Sequence, residues 1–401
     1  MKIVLSADLH LGRTSTRLPE TWRDAGRSIR AWERLVDAVI ADQADLLCLS
    51  GDILDHRNQL WEAMGPLQAG IQKLHQAGIR TLAVSGNHDA SSLPEVAAQF
   101  PEEAFTLLGK MGTWQRVKIQ DQGQTCLYVD GWSFPTSKVN QDPTLHYPNT
   151  PSSDGIPVLA MVHGDPGVPD SPYAPLSIAH LQSLPVSGWL LGHIHRPQLT
   201  SGSPWVLMPG SPHPLDPGEP GDHQAWVCQL DQGVLSPPQP FCPATLRYEN
   251  IDIQISSQEP PSIDGLRKHI QTAVDALPAT LMNVLRIHLC GRVAQVDAWR
   301  ACCENLESWA PGNFIIESLS FDLHPAIDLT EASQTGPVQA LLVQALDQLP
   351  EDLQARLHKR CEHINRQNEY AGKELPELLL EQLPVSSKVE AVLLKAMEQL
   401  T

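Results

Sequence analysis

The chain has 401 residues, a formal net charge of -18 and eight cysteines. This length exceeds what one hydrophobic core usually organises, so we expect about two to three domains. The acidic balance argues against a broad basic surface, and any nucleic-acid contact must be local, metal-assisted or shared with a partner. The cysteines show no CxxC spacing, so neither a disulfide framework nor a thiolate zinc site is predicted.

The first residues of the chain indicate in which compartment the protein is located. The segment MKIVLSADLH reaches Asp8 and His10 too early for the apolar part of a signal peptide. No later stretch is apolar for long enough to span a bilayer. We therefore predict a soluble cytoplasmic protein that does not associate with membranes.

Short apolar runs alternate with helical patterns over about residues 1–230, which is typical of an α/β sheet domain. The spacing of Trp22, Ile29 and Val36 predicts a helix over 21–41. Further helices are predicted over 57–77 and 92–110. The predicted strands cover residues 3–7, 45–49, 81–84, 126–129, 158–162, 189–191 and 205–208.

The pattern changes after a proline-rich stretch at 236–245. A β-α-β-α-β pattern follows over 248–323 and predicts a small α/β unit. From about residue 335 the pattern is helical, and Ser387 with Glu390 forms a capping box before an amphipathic terminal helix. We therefore predict a first domain over 1–240, a capping domain over 246–328 and a C-terminal helical region over 335–401.

Metal-ligand side chains follow the predicted strands directly, where α/β sheets build their sites. Carboxylate, carboxamide and imidazole groups together favour manganese, iron or another mid-row ion over calcium or thiolate-bound zinc. Seven ligands are too many for one ion with an open position, but two ions sharing the carboxylate of Asp52 would use them fully. The candidate ligands are Asp8 and His10 in ADLH, Asp52 in SGDILD, Asn87 in SGNHD, His163 in VHGD, and His193 and His195 in LGHIH.

Two ions of this kind can hold a phosphate and lower the pKa of a water molecule, which predicts hydrolysis of a phosphate ester. His88 is not assigned as a metal ligand, because it could donate a proton to the departing oxygen. Gly51, Gly86 and Gly192 stand directly before ligands, where the backbone must turn tightly. One Asp-x-His or His-x-His is usually incidental, but five such segments at strand ends predict metal chemistry.

The segments DLHLG, GDILD, GNHD, VHGD and GHIH, in this order and spacing, resemble the calcineurin-like metallophosphoesterase superfamily. The DLHLG opening with GHIHRPQ and PGSPHPLDPGEPG is similar to the SbcD-type DNA repair exonucleases. These motifs cover about residues 1–225. The resemblance implies an α/β fold with a four-layer αββα core, a small α/β capping domain and C-terminal helices.

The resemblance also implies roles for the motif residues. His88 would be the catalytic histidine. Asp55 stands where some relatives place a histidine near the metals. The expected activity is manganese-dependent cleavage of DNA, by a homodimer that works with an SbcC-like coiled-coil ATPase. The implied ligands are Asp8, His10, Asp52 and His195 for one ion, and Asp52, Asn87, His163 and His193 for the other.

A row of arginines is the main nucleic-acid signal, because it begins soon after the first ligands and could guide a phosphate backbone. The alternative interpretation is that these arginines form the ordinary solvent-exposed face of a helix. The first four arginines of the row are the candidate DNA contacts. The row consists of Arg13 and Arg17, which lie just before the predicted helix, and of Arg23, Arg27, Arg30 and Arg34, which form one stripe on it.

Three functions stay open from the sequence. The first is a manganese-dependent DNA exonuclease and endonuclease of an SbcCD-like DNA repair complex. The second is a phosphatase or cyclic-nucleotide phosphodiesterase, which the same metals would serve. The third is a catalytically weak assembly subunit. The C-terminal helices either bind a partner or pack on their own chain.

Overall fold

A computed structural model describes residues 1–55, 60–148, 154–256, 258–304, 306, 309 and 312–325. The helical region predicted over 335–401 lies outside these residues, and the three predicted domain boundaries stay predictions. The chain divides into two compact units. The first comprises Met1–Asp252, Leu266–His288 and Asn305–Ser320, and the second comprises Ile253–Gly265, Leu289–Glu304 and the described chain from Phe321.

The described residues form eighteen strands, six α-helices and three short 3-10 helices. The strands are β1 (Lys2–Ser6), β2 (Leu46–Ser50), β3 (Arg80–Val84), β4 (Phe105–Leu107), β5 (Gln115–Asp121), β6 (Gln124–Trp132), β7 (Val158–His163), β8 (Asp165–Pro166), β9 (Pro175–Leu176), β10 (Gly188–Gly192), β11 (Gln198–Thr200), β12 (Trp205–Met208), β13 (Ala225–Asp231), β14 (Val234–Leu235), β15 (Gln239–Phe241), β16 (Leu246–Ile255), β17 (Met282–Val293) and β18 (Phe314–Pro325). The helices are α1 (Ser28–Ala41), α2 (Leu60–Gln76), α3 (Leu93–Ala97), α4 (Ile178–Ser183), α5 (Ile263–Asp275) and α6 (Val296–Cys302). The 3-10 helices are Glu20–Trp22, Lys110–Gly112 and Pro143–His146.

Two large sheets dominate the first unit. One has the strand order β14-β13-β1-β2-β3-β4, with β15 paired to β13, and the other has the order β11-β12-β10-β7-β6-β5. Strands β1 to β4 are parallel, as are β6, β7, β10 and β12. Each sheet therefore gathers the carboxyl ends of several strands at one edge, which is where ligand sites form in α/β proteins.

Side-chain alternation along β1 and β2 buries both faces of the first sheet. Val4 and Leu47 point to a core that they share with Trp32 and other apolar residues of α1, α2 and α3. Leu5 and Leu46, on the other face, belong to the core between the two sheets. The first sheet is therefore covered by helices on one side and by the second sheet on the other.

The second sheet alternates in the same way. Leu159 and Met161 of β7 belong to the core between the sheets. Ala160 and Val162 belong to a third core, which Leu181 of α4 completes. The layers thus follow the order helix, sheet, sheet, helix, which confirms the predicted four-layer αββα core.

Two predicted helices differ from the structure. Helix α1 begins at Ser28 rather than near residue 21, because Arg27 is extended and pairs with Thr14 in a β-bridge. The helix predicted over 92–110 ends at Ala97, and β4 follows because its buried residues pair in parallel with β3. In both places long-range backbone pairing overrides a helical pattern.

The β-α-β-α-β order predicted over 248–323 is confirmed, and β16, β17 and β18 form a three-stranded sheet in that order. All cysteines in the described part of the chain are free thiols. No helix among the described residues combines the length and the apolar character that a bilayer crossing requires.

Candidate metal centre

The predicted ligands lie where strands of both sheets end. Asp8 and His10 follow β1, and the backbone N–H groups of these two residues donate to Gly51 O at 3.1 Å and Asp52 O at 2.9 Å. In the second sheet, His163 is the last residue of β7 and pairs in register with Gly192, directly before His193. The remaining ligands follow the same rule, with Asn87 after β3 and His195 after β10.

The backbone is strained at several of these residues. Asp8, His10, Asp52 and His193 have φ values of 54°, 43°, 49° and 94°. A non-glycine residue in this region costs about 1–3 kcal/mol and persists only where surrounding contacts impose it, most often at functional sites. The surrounding contacts thus hold these loops in conformations that place the ligand side chains close together.

Two glycines leave room for the ligands. A methyl group on Gly86 would overlap the Asp52 carboxylate. A methyl group on Gly192 would overlap Ser50 O and crowd the His163 ring at 2.5 Å. The glycines that the sequence places before these ligands are thus required by close approach.

A first cluster that could hold a metal ion consists of Asp8, His10 and His195, whose ligand atoms lie within 4.8 Å of one another. The Nε2 atoms of His10 and His195 face each other at 3.0 Å. The Asp8 carboxylate accepts hydrogen bonds from His193 N at 3.0 and 3.1 Å. Two imidazole nitrogens and a carboxylate thus converge on one small volume.

A second such cluster consists of Asp52, His163 and His193. Nε2 of His163 lies 3.4 Å from Asp52 Oδ2 and 3.1 Å from Asn87 Oδ1. Nδ1 of the same ring lies 3.0 Å from Ser50 O, a carbonyl that can only accept a hydrogen bond. In the neutral ring this contact leaves the Nε2 lone pair free for a metal.

Asp52 lies between the two clusters. Its Oδ2 is 3.9 Å from His10 Nε2 and 3.4 Å from His163 Nε2. Its Oδ1 accepts a hydrogen bond from His88 N at 2.9 Å. The carboxylate therefore faces ligands of both groups, which is the placement that a bridging ligand needs.

Burial and mutual charge shift the pKa values of these groups. Burial raises the pKa of Asp8 to about 6 and lowers those of His10 to about 3 and His193 to about 4. Burial also acts against ionisation of Asp52 and His163, but the attraction between them prevails. It holds the pKa of Asp52 below its ordinary value and raises that of His163 to about 9.

The donor set fits divalent cations. Among the described residues, no Lys or Arg side chain pairs with Asp8 or Asp52, although both carboxylates are buried. Nδ1 of His10 is also buried and has no hydrogen-bond partner in the described part of the chain. Buried carboxylates normally require a compensating positive charge, and a mixed oxygen and nitrogen set favours mid-row divalent ions.

Sequence reasoning assigned no role to Asp55, which belongs to this site. Its Oδ1 lies 3.5 Å from His88 Nδ1, and its Oδ2 lies 3.9 Å from His10 Nδ1. The hydrogen bond to Asp55 raises the pKa of His88. The second aspartate of GDILD was the available signal, but sequence alone did not reveal its partner.

Asp89 is a second residue that sequence reasoning missed. It is fully buried and accepts hydrogen bonds from Ile53 N and Gly86 N at 2.7 Å each, and from Leu54 N at 3.3 Å. The carboxylate therefore ties the loop after β2 to the loop after β3. The last residue of SGNHD thus supports the site structurally.

The candidate DNA contacts have carboxylate neighbours. Arg13 Nε lies 3.5 Å from Asp55 Oδ2, so this arginine touches the site. The other described arginines of the row, Arg34 excepted, also pair with carboxylates, and their role in DNA contact stays a prediction. The pairs are Arg17 with Glu317, Arg23 with Glu20, Arg27 with Asp24 and Glu62, and Arg30 with Asp24 and Glu33.

The amino-terminal half of the chain matches a known family. Residues 1–197 match the family described as Calcineurin-like phosphoesterase. These residues belong to that family. The resemblance inferred from the motifs is thereby confirmed, and the phosphoesterase domain contains all seven predicted ligands and His88. Membership supports a metal-dependent phosphoesterase function. The two His/Asp clusters described above are groups that could hold metal ions, and His10, Asp55 and His88 form a third such group.

Several known proteins are similar to this chain at low identity. The uncharacterized metallophosphoesterase YhaO of Bacillus subtilis is 24% identical in an alignment of 244 residues that covers 59% of each chain. The SbcD component of the nuclease SbcCD of Rhodobacter capsulatus is 26% identical over 293 residues, covering 58% of this chain and 67% of that protein. The DNA double-strand break repair protein Mre11 of Haloferax volcanii is 32% identical over 91 residues, covering 22% and 20%. The chain thus spans less than two thirds of the length of the first of these relatives.

Proposed function

We propose that this protein is a two-metal DNA nuclease that hydrolyses phosphodiester bonds with manganese. The observation that carries the proposal is the convergence of ligands from both sheets on Asp52, whose carboxylate faces the imidazoles of His10 and His163. The chemistry of this donor set suits manganese better than calcium or a thiolate-dependent zinc site.

In this proposal each ion takes its ligands from one side of Asp52. When bound, the two cations would lower the pKa of a water molecule and neutralise charge on the scissile phosphate. The chain itself fixes the ligand positions through the strained loops and through the carbonyl that orients His163. One ion would be held by Asp8, His10, Asp52 and His195, and the other by Asp52, Asn87, His163 and His193.

His88 has a different task in the proposed reaction. Its side chain is 25% exposed, whereas His10 and Asp52 are almost completely buried, so it faces the opening of the site. Asp55 holds the proton on the imidazole by accepting from Nδ1, which leaves Nε2 to donate to the departing oxygen. General acid catalysis by this histidine completes the in-line displacement.

DNA is the proposed substrate because two relatives are a nuclease and a DNA double-strand break repair protein by name. Exonuclease and endonuclease action, DNA repair as the process, a homodimer and an SbcC-like coiled-coil ATPase partner belong to the same proposal. Arg13, which lies beside Asp55, is the described arginine best placed to meet a phosphate backbone.

One observation favours a second candidate, a phosphatase or cyclic-nucleotide phosphodiesterase. Five arginines of the predicted DNA-contact row pair with carboxylates, and the chain carries a net charge of -18. Small phosphate esters need less basic surface than DNA does. Both candidates use the same metal ligands.

The test compares substrates on the purified full chain with Mn²⁺. Linear single- and double-stranded DNA, a cyclic nucleotide and bis-p-nitrophenyl phosphate are incubated with the wild-type protein and with Asp52→Asn. We expect DNA cleavage by the wild type only, with or without a coiled-coil ATPase partner. Intact DNA in both conditions would overturn the nuclease proposal, and faster turnover of the cyclic nucleotide would favour the second candidate.

A further inference from the structure

We propose that Glu219 is a positioning residue that fixes the orientation and tautomer of His195 and thereby sets the affinity of the first cluster for its cation. This inference rests on the proposed function, in which His195 is a metal ligand. Glu219 belongs to the PGSPHPLDPGEPGDH segment, residues 209–223, which follows β12 and lies outside all five ligand motifs.

The contact between the two side chains is short and directional. Nδ1 of His195 lies 2.6 Å from Glu219 Oε1. An ionised carboxylate can only accept a hydrogen bond, so Nδ1 carries the proton. In the neutral ring Nε2 then keeps its lone pair, and this is the atom that faces His10 Nε2 at 3.0 Å. The carboxylate therefore presents the ligating nitrogen to the cluster.

Glu219 is itself held in place. Its second oxygen, Oε2, accepts a hydrogen bond from Leu215 N at 2.7 Å. Its backbone N–H donates to Asp216 O at 3.0 Å, and its carbonyl lies 3.0 Å from His223 Nε2. The side chain is only 21% exposed. A carboxylate fixed at both oxygens cannot follow the ring if His195 rotates.

The 209–223 segment also holds the backbone around the ligand. Ser211 N donates to His195 O at 3.0 Å, and Thr16 N donates to Leu215 O at 3.1 Å. The same segment therefore joins the loop after β10 to the chain that follows the first ligands. Glu219 orients the ring, while Ser211 fixes the main chain of the same residue.

The other histidines of the site are supported differently. Nδ1 of His163 faces the carbonyl of Ser50, whereas Nδ1 of His10 lies 3.9 Å from Asp55 Oδ2 and has no hydrogen-bond partner among the described residues. A carboxylate partner makes a ligating imidazole more basic than a carbonyl does, and loss of such a partner typically weakens metal affinity by about 10- to 100-fold. Of these three imidazoles, His195 is the one whose Nδ1 lies within hydrogen-bond distance of a side-chain carboxylate.

The isosteric change Glu219→Gln tests this mechanism directly. Leu215 N–H and His195 Nδ1–H both need an acceptor, but a glutamine side chain has only one oxygen. If that oxygen serves Leu215, the amide NH₂ faces His195 and forces its proton onto Nε2, which blocks the ligating lone pair. The substitution thus removes the function of the carboxylate while it preserves the side-chain volume.

The experiment measures Mn²⁺ affinity of the full chain without substrate, from the free Mn²⁺ signal in electron paramagnetic resonance. We expect Glu219→Gln and Glu219→Ala to bind Mn²⁺ about 10- to 100-fold more weakly than the wild type at one site. Asp222→Asn is the matched control, because Asp222 lies in the same segment but pairs with Arg247. The control should bind Mn²⁺ like the wild type.

A second set of variants separates positioning from general support of the fold. In a His195→Ala background, Glu219→Gln should cause no further loss of Mn²⁺ affinity. Equal losses in both backgrounds would overturn the proposal, as would wild-type affinity in Glu219→Gln. A metal-free Glu219→Gln protein that melts earlier yet binds Mn²⁺ normally would assign a structural role and overturn it too. Because no substrate is present, failure of the nuclease proposal leaves this readout unchanged.

Discussion

At the scale of single residues, His88 is proposed to take part in catalysis without binding a metal ion. It is partly exposed beside Asp55, and the nearest Asp52 oxygen to its Nε2 is 4.0 Å away. We expect His88→Asn to lower the rate of phosphodiester cleavage by about 10²- to 10⁴-fold, which is the usual contribution of a general acid. The measurement is kcat on bis-p-nitrophenyl phosphate with saturating Mn²⁺.

Two further measurements distinguish a loss of catalysis from a loss of metal binding or a general effect of the substitution. Mn²⁺ affinity should be unchanged in His88→Asn, because the residue is not one of the proposed ligands. The control His75→Asn replaces an exposed histidine of α2 and should leave kcat unchanged. A His88→Asn protein with wild-type turnover would remove the catalytic assignment.

At the scale of elements, the packing of α1 on α2 supports the first sheet. Trp32 of α1 donates from Nε1 to Pro66 O at 3.0 Å, and its buried ring lies against Gly70 of α2. A methyl group on Gly70 would overlap that ring. The two helices therefore approach closely because position 70 has no side chain.

Gly70→Ala should lower the free energy of unfolding by about 1–3 kcal/mol, because the tryptophan cannot move without disturbing a filled core. The urea midpoint of the far-UV circular dichroism signal measures this change. Gly65→Ala in the same helix is the control, since a methyl group there meets no atom within 4 Å. Because alanine favours helix more than glycine does, Gly65→Ala should have a urea midpoint equal to or higher than that of the wild type. Equal urea midpoints for Gly70→Ala and Gly65→Ala would contradict the packing argument.

At the scale of the whole molecule, the site joins the two sheets. Asp8 and Asp52 come from loops of the first sheet, and His163 and His193 from the second. The two cations that these residues would help to hold stabilise the folded state according to their occupancy, by about 2.7 kcal/mol per site at a hundredfold excess over Kd. Buried carboxylates lose this compensation when the metal is removed.

We therefore expect EDTA to lower the thermal midpoint of the protein and Mn²⁺ to restore it. In Asp52→Asn the response to Mn²⁺ should be much smaller, because the carboxylate shared by both clusters is lost. Differential scanning calorimetry with and without Mn²⁺ measures both effects. An equal Mn²⁺ response in the wild type and the variant would show that binding occurs elsewhere.

The stability of the molecule should also depend on pH through His213, which joins the 209–223 segment to the start of the chain. This ring is completely buried, and its Nε2 lies 3.0 Å from Gly26 O. Burial lowers the pKa of His213 from 6.5 to about 4. Between these values the unfolded chain takes up a proton that the folded chain does not, so stability falls as pH falls through this window.

In His213→Gln this titration is absent. The urea midpoint of the metal-free protein should therefore fall less steeply between about pH 6.5 and 4 than it does in the wild type. His75→Gln, an exposed control, should keep the wild-type slope. Identical slopes in His213→Gln and the wild type would contradict the burial argument.

Local patterns in the sequence predicted the strands that carry the candidate ligands, whereas the four-layer order was implied by the family resemblance. Apolar runs mark strands because both faces of each sheet are buried, and polar residues directly after them must lie at the sheet edge. Motif order then identified the family, which the comparison confirms for residues 1–197. Each of these inferences uses only residues that are close to one another in the sequence.

Only the tertiary structure decided which side chains meet. Asp55 beside His88, Glu219 beside His195 and the carboxylate partners of the arginines depend on strand order and loop path. Glu219 and His195 are 24 residues apart, and Arg17 and Glu317 are 300 apart. No local periodicity encodes such pairs, because they form only when long-range backbone pairing brings separate loops together.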